Sequence, residues 1–175
     1  MARIFYASAK VSDMYIIRRA TIDDVEAIRN IAEKAWLTGH FNSRERQHAL
    51  LTLEQVYSAE EIKVLLQGKV QCFLLIEDTL QPVGFISWSV EPLAFFIHQT
   101  YCLPSTQGKG YVSLLINEVL RIAAQEGKKI VDLKISSTQV NFKYYFNLGF
   151  ELVTDGIIKR SDKSPAEFLF RRHLP

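Results

Sequence analysis

Apolar positions along the chain recur in two rhythms, and these divide it into helices and strands. Val25, Ile28, Ala32, Ala35 and Trp36 follow the helical spacing behind Thr21-x-x-Asp24, whose threonine and acidic third residue form a capping signal. A first helix to about Leu37 is therefore expected. Residues 38–50 are polar and broken, and Ser58-Ala59-Glu60-Glu61 is then a fuller capping box ahead of Ile62, Leu65 and Leu66, with Gly68 as the stop. This region is expected to hold a second helical pair. Val112, Leu115, Ile116, Val119, Leu120 and Ala123 mark one buried face of a longer helix that Gly127 ends. Strand-like runs fill the rest. Val70 to Glu77, Val83 to Val90 and Leu93 to Leu103, parted by Asp78 to Pro82 and Glu91-Pro92, read as an antiparallel meander. Tyr15 to Arg19 precedes the first helix, Ile130 to Ile135 follows the long one, and Glu167 to Arg172 closes the chain behind Pro165. The sum is an α+β chain, a mixed sheet with helices on both faces.

Composition narrows the class. With 175 residues, 48% of them apolar, the chain can bury its own core, and no repeat or linker divides it. Residues 14–175 are expected to form a single domain, and residues 1–13 a mobile extension, with Met14 a candidate start. The net charge of +2 comes without basic clusters, which argues against nucleic acid as a partner. No apolar run is long enough to span a membrane, and residues 1–10 lack the core of a signal peptide, so a cytoplasmic location is expected. Cys72 and Cys102 fall within strands and lack the partners of a zinc site, so they are expected as free thiols with no bound metal.

The densest chemistry lies in Tyr101-Cys102-Leu103-Pro104-Ser105-Thr106-Gln107-Gly108-Lys109-Gly110-Tyr111-Val112, which leaves a strand, turns through two glycines and enters the long helix. Glycine lets the backbone approach a ligand, and the first turn of a helix offers N–H groups and the positive end of its dipole, so a pyrophosphate suits the place. A Walker loop needs Lys-[Ser/Thr] after its second glycine, yet Tyr111 and Val112 follow Gly110; a Rossmann fingerprint needs a third glycine. Neither fits. A glycine pair at a helix start is, by itself, equally a tight turn.

A second segment changes the balance. Asn141-Phe142-Lys143-Tyr144-Tyr145-Phe146-Asn147-Leu148-Gly149-Phe150 resembles a signature of the GNAT acetyltransferase superfamily, a helix ending Phe-Tyr-x-x-x-Gly-Phe that passes into a strand. The glycine loop resembles the superfamily's acyl-CoA loop, apolar-x-Pro followed by [Gln/Arg]-x-x-Gly-x-[Gly/Ala], and the two lie in the superfamily's order. The departure is Val112, where a small residue is usual. The resemblance implies a mostly antiparallel sheet of about seven strands and an acetyl-CoA-dependent N-acetyltransferase. CoA would be held by Tyr101, Cys102, Leu103, Gln107, Gly108, Lys109, Gly110, Tyr111, Val112, Ser113 and Thr138. Thr138 stands where the superfamily has asparagine.

The same resemblance assigns the catalytic roles. Tyr145 would protonate the CoA thiolate, and its ordinary pKa near 10 suits a donor to a thiol near 8.5. The backbone N–H of Cys102 would hold the oxyanion. Alternation puts Phe96, His98, Thr100 and Cys102 on one face of their strand, with Phe96 where some relatives carry a glutamate. His98 is the replacement base to name; a hydrogen-bonded structural histidine is the other reading. Trp36 and Leu51 to Ile62 look like bacterial spermidine/spermine-type acetyltransferases. Glu45, Glu54, Glu60 and Glu61 could line an acceptor cleft, although Glu60 and Glu61 equally favour a helix dipole. The expected acceptor is a primary amine of a small, polyamine-like molecule or of a peptide, and a homodimer is compatible with the family. A non-catalytic acyl-CoA-binding protein is the other class that Val112, Phe96 and Thr138 leave open.

Overall fold

Seven strands and five α-helices form among the residues described by the computed structural model, 15–38, 43–68, 70–136, 141–158 and 167–175. In chain order they are β1 (Tyr15–Arg19), α1 (Val25–Trp36), α2 (Ser43–Val56), α3 (Ala59–Gln67), β2 (Gln71–Asp78), β3 (Gln81–Val90), β4 (Ala94–Cys102), α4 (Tyr111–Gln125), β5 (Ile130–Ser136), α5 (Phe142–Asn147), β6 (Glu151–Ile158) and β7 (Glu167–His173). The sheet order is β1-β2-β3-β4-β5-β7-β6. Pairing is parallel between β4 and β5 and antiparallel in β1/β2, β5/β7 and β6/β7, so the expected mixed sheet is present.

The chain divides into two compact units. The first, Met1–Ser87 with Gln99–Ile116, has its core between α1 to α3 and the inner faces of β2 and β3: Val25, Ile28, Ile31, Ala32, Leu53, Tyr57, Ile62, Phe73, Leu75 and Phe85 are buried together, with Trp36, Tyr101 and Leu103 against them. Its helices start where the sequence places the caps. Thr21 and Asp24 form a capping box at a 3-10 turn, Ile22–Asp24, that precedes α1, and the Ser58 hydroxyl accepts the Glu61 N–H at 3.2 Å. Arg18 ties this corner together by donating to both carboxylate oxygens of Asp24 and, at 2.7 Å, to Glu77. The second unit, Trp88–His98 with Asn117–Pro175, stacks Trp88 on Phe95 and packs the rings of Phe142, Tyr145 and Phe146 on Phe170 of β7.

Three local expectations are corrected. The helix α2 extends into the segment that reads as broken, because its polar surface hides any apolar stripe. Gly68 closes α3 as expected, with its backbone extended at φ −70° and ψ 161°. The turn expected over Asp78 to Pro82 is only Thr79 and Leu80, both at positive φ (52° and 64°), so Gln81 and Pro82 already belong to β3. In β4 the alternation slips. Phe85 faces Tyr101 across β3 and β4, while Trp88 faces Phe95. Phe85 and Trp88 stand on opposite faces of β3, so Tyr101 and Phe95 do so on β4, although six residues apart. The irregularity between them has the character of a bulge. Phe96, His98, Thr100 and Cys102 therefore do not share one face throughout. Residues 1–13, Thr138 and Pro165 lie outside the described residues.

Candidate functional site

The glycine loop is built by short-range bonds. After β4 the Leu103 N–H donates to the Val83 carbonyl at 2.8 Å, and a 3-10 turn, Pro104–Thr106, follows. The Gln107 N–H returns to the Pro104 carbonyl, the Lys109 N–H to that of Thr106, and the ladder of α4 opens with the Leu114 N–H donated to Gly110. Gly108 and Gly110 have φ of +84° and +77°, and a Cβ placed on either would meet nothing within 4 Å. Glycine is required here by the left-handed backbone, and the space in front of both residues is open. Gln107 to Gly110 are exposed, and Val112 and Ser113 are half-buried on the first turn of α4.

Two loop side chains are committed elsewhere. The Lys109 ammonium and the Tyr111 hydroxyl each donate to the same Asp78 Oδ2 at 2.7 Å, and the Thr79 hydroxyl donates to Oδ1 at 3.0 Å. Lys109, then Tyr111 and Thr79, hold the Asp78 carboxyl down to a pKa of about 2. The sequence reading missed Asp78, since no local pattern links a hairpin end to a loop 31 and 33 residues away.

Tyr101 and Cys102 end β4 inside the first unit. The Tyr101 hydroxyl accepts the Trp36 indole N–H at 2.8 Å, and burial raises its pKa. Burial pushes the Cys102 thiol up to about 12, so at neutral pH it is no thiolate nucleophile. Its sulfur explains Gly84 of β3, another residue without a sequence signal: a Cβ there would stand 2.5 Å from Cys102 Sγ and 2.9 Å from the Tyr101 carbonyl oxygen. Beside this strand end lies an open cleft of about 660 Å³, bounded by Asn30, Glu33 and Lys34 of α1 and by Leu103 and Ser105. Glu54 is taken by Arg29 at 2.7 Å. Glu60 and Glu61 stand in the first turn of α3, where they complement its dipole.

The second unit holds Tyr145 and His98. The Asn141 side chain caps α5 by accepting the Tyr144 N–H at 3.1 Å, and Gly149 at φ +77° lets the chain turn out of the helix. Tyr145 lies 5.1 Å from the rings of both Tyr144 and Phe170, and burial, then Tyr144, pushes its pKa up to about 12. It keeps its proton at neutral pH. His98 is exposed on β4 between buried Ile97 and half-buried Gln99, its ring 5.1 Å from Phe96; partial burial and then Lys134 lower its pKa, which keeps the imidazole neutral. Among the described residues no group of three or more His, Cys, Asp or Glu side chains could hold a metal ion, and no helix is long and apolar enough to cross a membrane.

Comparison with known proteins agrees with this frame. Residues 25–150 match the Acetyltransferase (GNAT) family, and the chain belongs to it. An uncharacterised N-acetyltransferase of Methanocaldococcus jannaschii is 23% identical over 147 residues, 78% of this chain; the match spans 61% of that relative's length. Among solved structures, the PaiA N-acetyltransferase of Thermoplasma acidophilum in complex with coenzyme A superposes with a TM-score of 0.75 at 19% identity, over 91% of this chain and 99% of the other. The ribosomal-protein-S18-alanine N-acetyltransferase of Escherichia coli gives 0.70 at 15% identity, over 91% and 94%. At these identities the likeness is one of fold.

Proposed function

We propose that residues 14–175 form one N-acetyltransferase domain that moves the acetyl group of acetyl-CoA to a primary amine of a small, polyamine-like molecule or of a peptide, by direct attack in a ternary complex. The observation that carries this reading is the left-handed pair Gly108 and Gly110 at the start of α4, with open space before both. There the backbone N–H groups of residues 108–113 and the dipole of α4 would hold the pyrophosphate. Tyr101, Cys102 and Leu103 would line the path of the pantetheine arm.

In the reaction the amine nitrogen attacks the thioester carbonyl carbon, and the Cys102 N–H donates to the oxygen as it gains charge. The C–S bond then breaks, and Tyr145 gives its proton to the departing thiolate. The proton lost by the amine passes to His98, directly or through water, and a neutral imidazole is ready to take it. Glu33, at the cleft beside Leu103, favours a cationic acceptor, while Lys34 next to it leaves room for one that also carries a carboxylate or carbonyl.

Release of free thiol from acetyl-CoA, followed across polyamines, aminoglycosides and peptide N-termini, tests the activity, and turnover on at least one amine is expected. Gly110→Trp should abolish acetyl-CoA binding, because a side chain there meets the open space in front of the loop. Calorimetry giving wild-type affinity in a folded Gly110→Trp protein would rule out binding at this loop.

A further inference from the structure

The glycine loop has little packing of its own. Gln107 to Gly110 are exposed, and the space around Gly108 and Gly110 is open, so what fixes the path of this segment must lie in its turn bonds and in the side chains on either side. Those are Lys109 and Tyr111, which flank Gly110 and converge on one oxygen of Asp78, at 2.7 Å each. Tyr111 is 6% exposed and lies with its ring 6.4 Å from Tyr15, so its hydroxyl is a fixed point. Asp78 is fixed as well. It ends β2, its other oxygen accepts the Thr79 hydroxyl, and the turn that follows carries two non-glycine residues at positive φ. A β-branched residue in that conformation is strained, and such outliers persist where the surroundings demand them.

We propose that Asp78 is a positioning residue for the cofactor: it clamps the backbone on both sides of Gly110 so that the N–H groups opening α4 face the pyrophosphate of acetyl-CoA, and it neutralises Lys109 so that the backbone, not the ammonium, binds the anion. The proposal rests on the acetyl-CoA reading of the loop. Its sign is informative. A carboxylate near a phosphate site opposes the ligand by charge alone, so its removal weakens binding only if the anchoring outweighs the repulsion.

The test is calorimetric titration of acetyl-CoA into the unmodified protein and into Asp78→Ala, Asp78→Asn, Lys109→Met and the Asp78→Ala/Lys109→Met pair, with kcat measured at saturating acetyl-CoA. Asp78→Ala is expected to raise Kd roughly tenfold and leave kcat unchanged, as the loss of charge-assisted bonds from the loop would. Asp78→Asn, which keeps an acceptor oxygen, should lose less. The double variant should bind no worse than Asp78→Ala, because both changes break one clamp. In the free protein, amide hydrogen exchange over residues 107–113 should be faster in Asp78→Ala. Tighter binding by Asp78→Ala together with weaker binding by Lys109→Met would make Lys109 a direct phosphate ligand and overturn the proposal. Unchanged affinity in Asp78→Ala, beside binding by the unmodified protein, would overturn the clamp alone. Absence of acetyl-CoA binding by the unmodified protein would instead overturn the reading on which it rests. Should Asp78→Ala fail to fold, Asp78→Asn and Lys109→Met carry the same comparison.

Discussion

Tyr145 has its ring against Phe170 and its phenol held protonated to a pKa of about 12, by burial and then by Tyr144. A group in that state is a proton donor, and the donor role can be removed without disturbing its packing. Tyr145→Phe keeps the contacts to Tyr144 and Phe170, so kcat should fall by roughly 10²- to 10⁴-fold, the usual worth of a general acid, with the KM for acetyl-CoA nearly constant. The pH profile adds a second reading. Because the phenol keeps its proton well past pH 10, kcat should show no alkaline loss from this group below about pH 10. A drop in kcat of less than tenfold in Tyr145→Phe would leave this residue as packing. His98 is separable from it: with its pKa lowered, it should stay competent as a base somewhat below the pH at which an ordinary imidazole charges.

Turn chemistry governs the hairpin between β2 and β3, where Thr79 and Leu80 take the two left-handed positions that glycine or asparagine would fill more easily. Leu80 is 73% exposed, so removing its side chain sacrifices little burial. Leu80→Gly should relieve the left-handed strain, about 1–2 kcal/mol, against a glycine entropy cost of about 0.5–1 kcal/mol. A net gain of roughly 0.5–1 kcal/mol in chemical denaturation follows, with acetyl-CoA affinity unchanged because Asp78 and Thr79 are untouched. Lower stability in Leu80→Gly would show that the leucine is held by packing and not by strain. The same hairpin shows where the sequence was legible. Apolar periodicity and capping residues located α1, α3, α4 and the strands, and paired glycines located the loop, because those signals are local. The two-residue turn was hidden by a polar run through Pro82. The slip in β4 was hidden because Phe95, Phe96 and Ile97 are all apolar, so alternation has no contrast there to register a bulge. The clamp by Asp78 and the need for glycine at position 84 depend on contacts across strands, which no window of sequence contains.

Acid groups buried in their neutral form set how the whole molecule responds to alkali. In the first unit the Cys102 thiol is raised from 9.0 to about 12 by burial, and burial also raises Tyr57 and Tyr101; in the second, Tyr145 rises from 10.0 to about 12. Each raised group favours the folded state, where it stays protonated, over an unfolded chain in which it ionises at its ordinary pKa. That stability is whole below the unfolded pKa and is lost as pH climbs towards the folded one. Stability should therefore hold level between pH 7 and about 9, fall first through Cys102, and fall more steeply beyond pH 10 as the tyrosines join. Cys102→Val tests the order of events: it leaves an apolar side chain against Gly84 and deletes the thiol, so the decline between pH 9 and 10 should shrink while the steeper loss above pH 10 remains. Denaturant midpoints for both proteins at pH 7, 9, 9.7 and 10.5 measure this directly, and parallel curves for the two would remove Cys102 from the alkaline response.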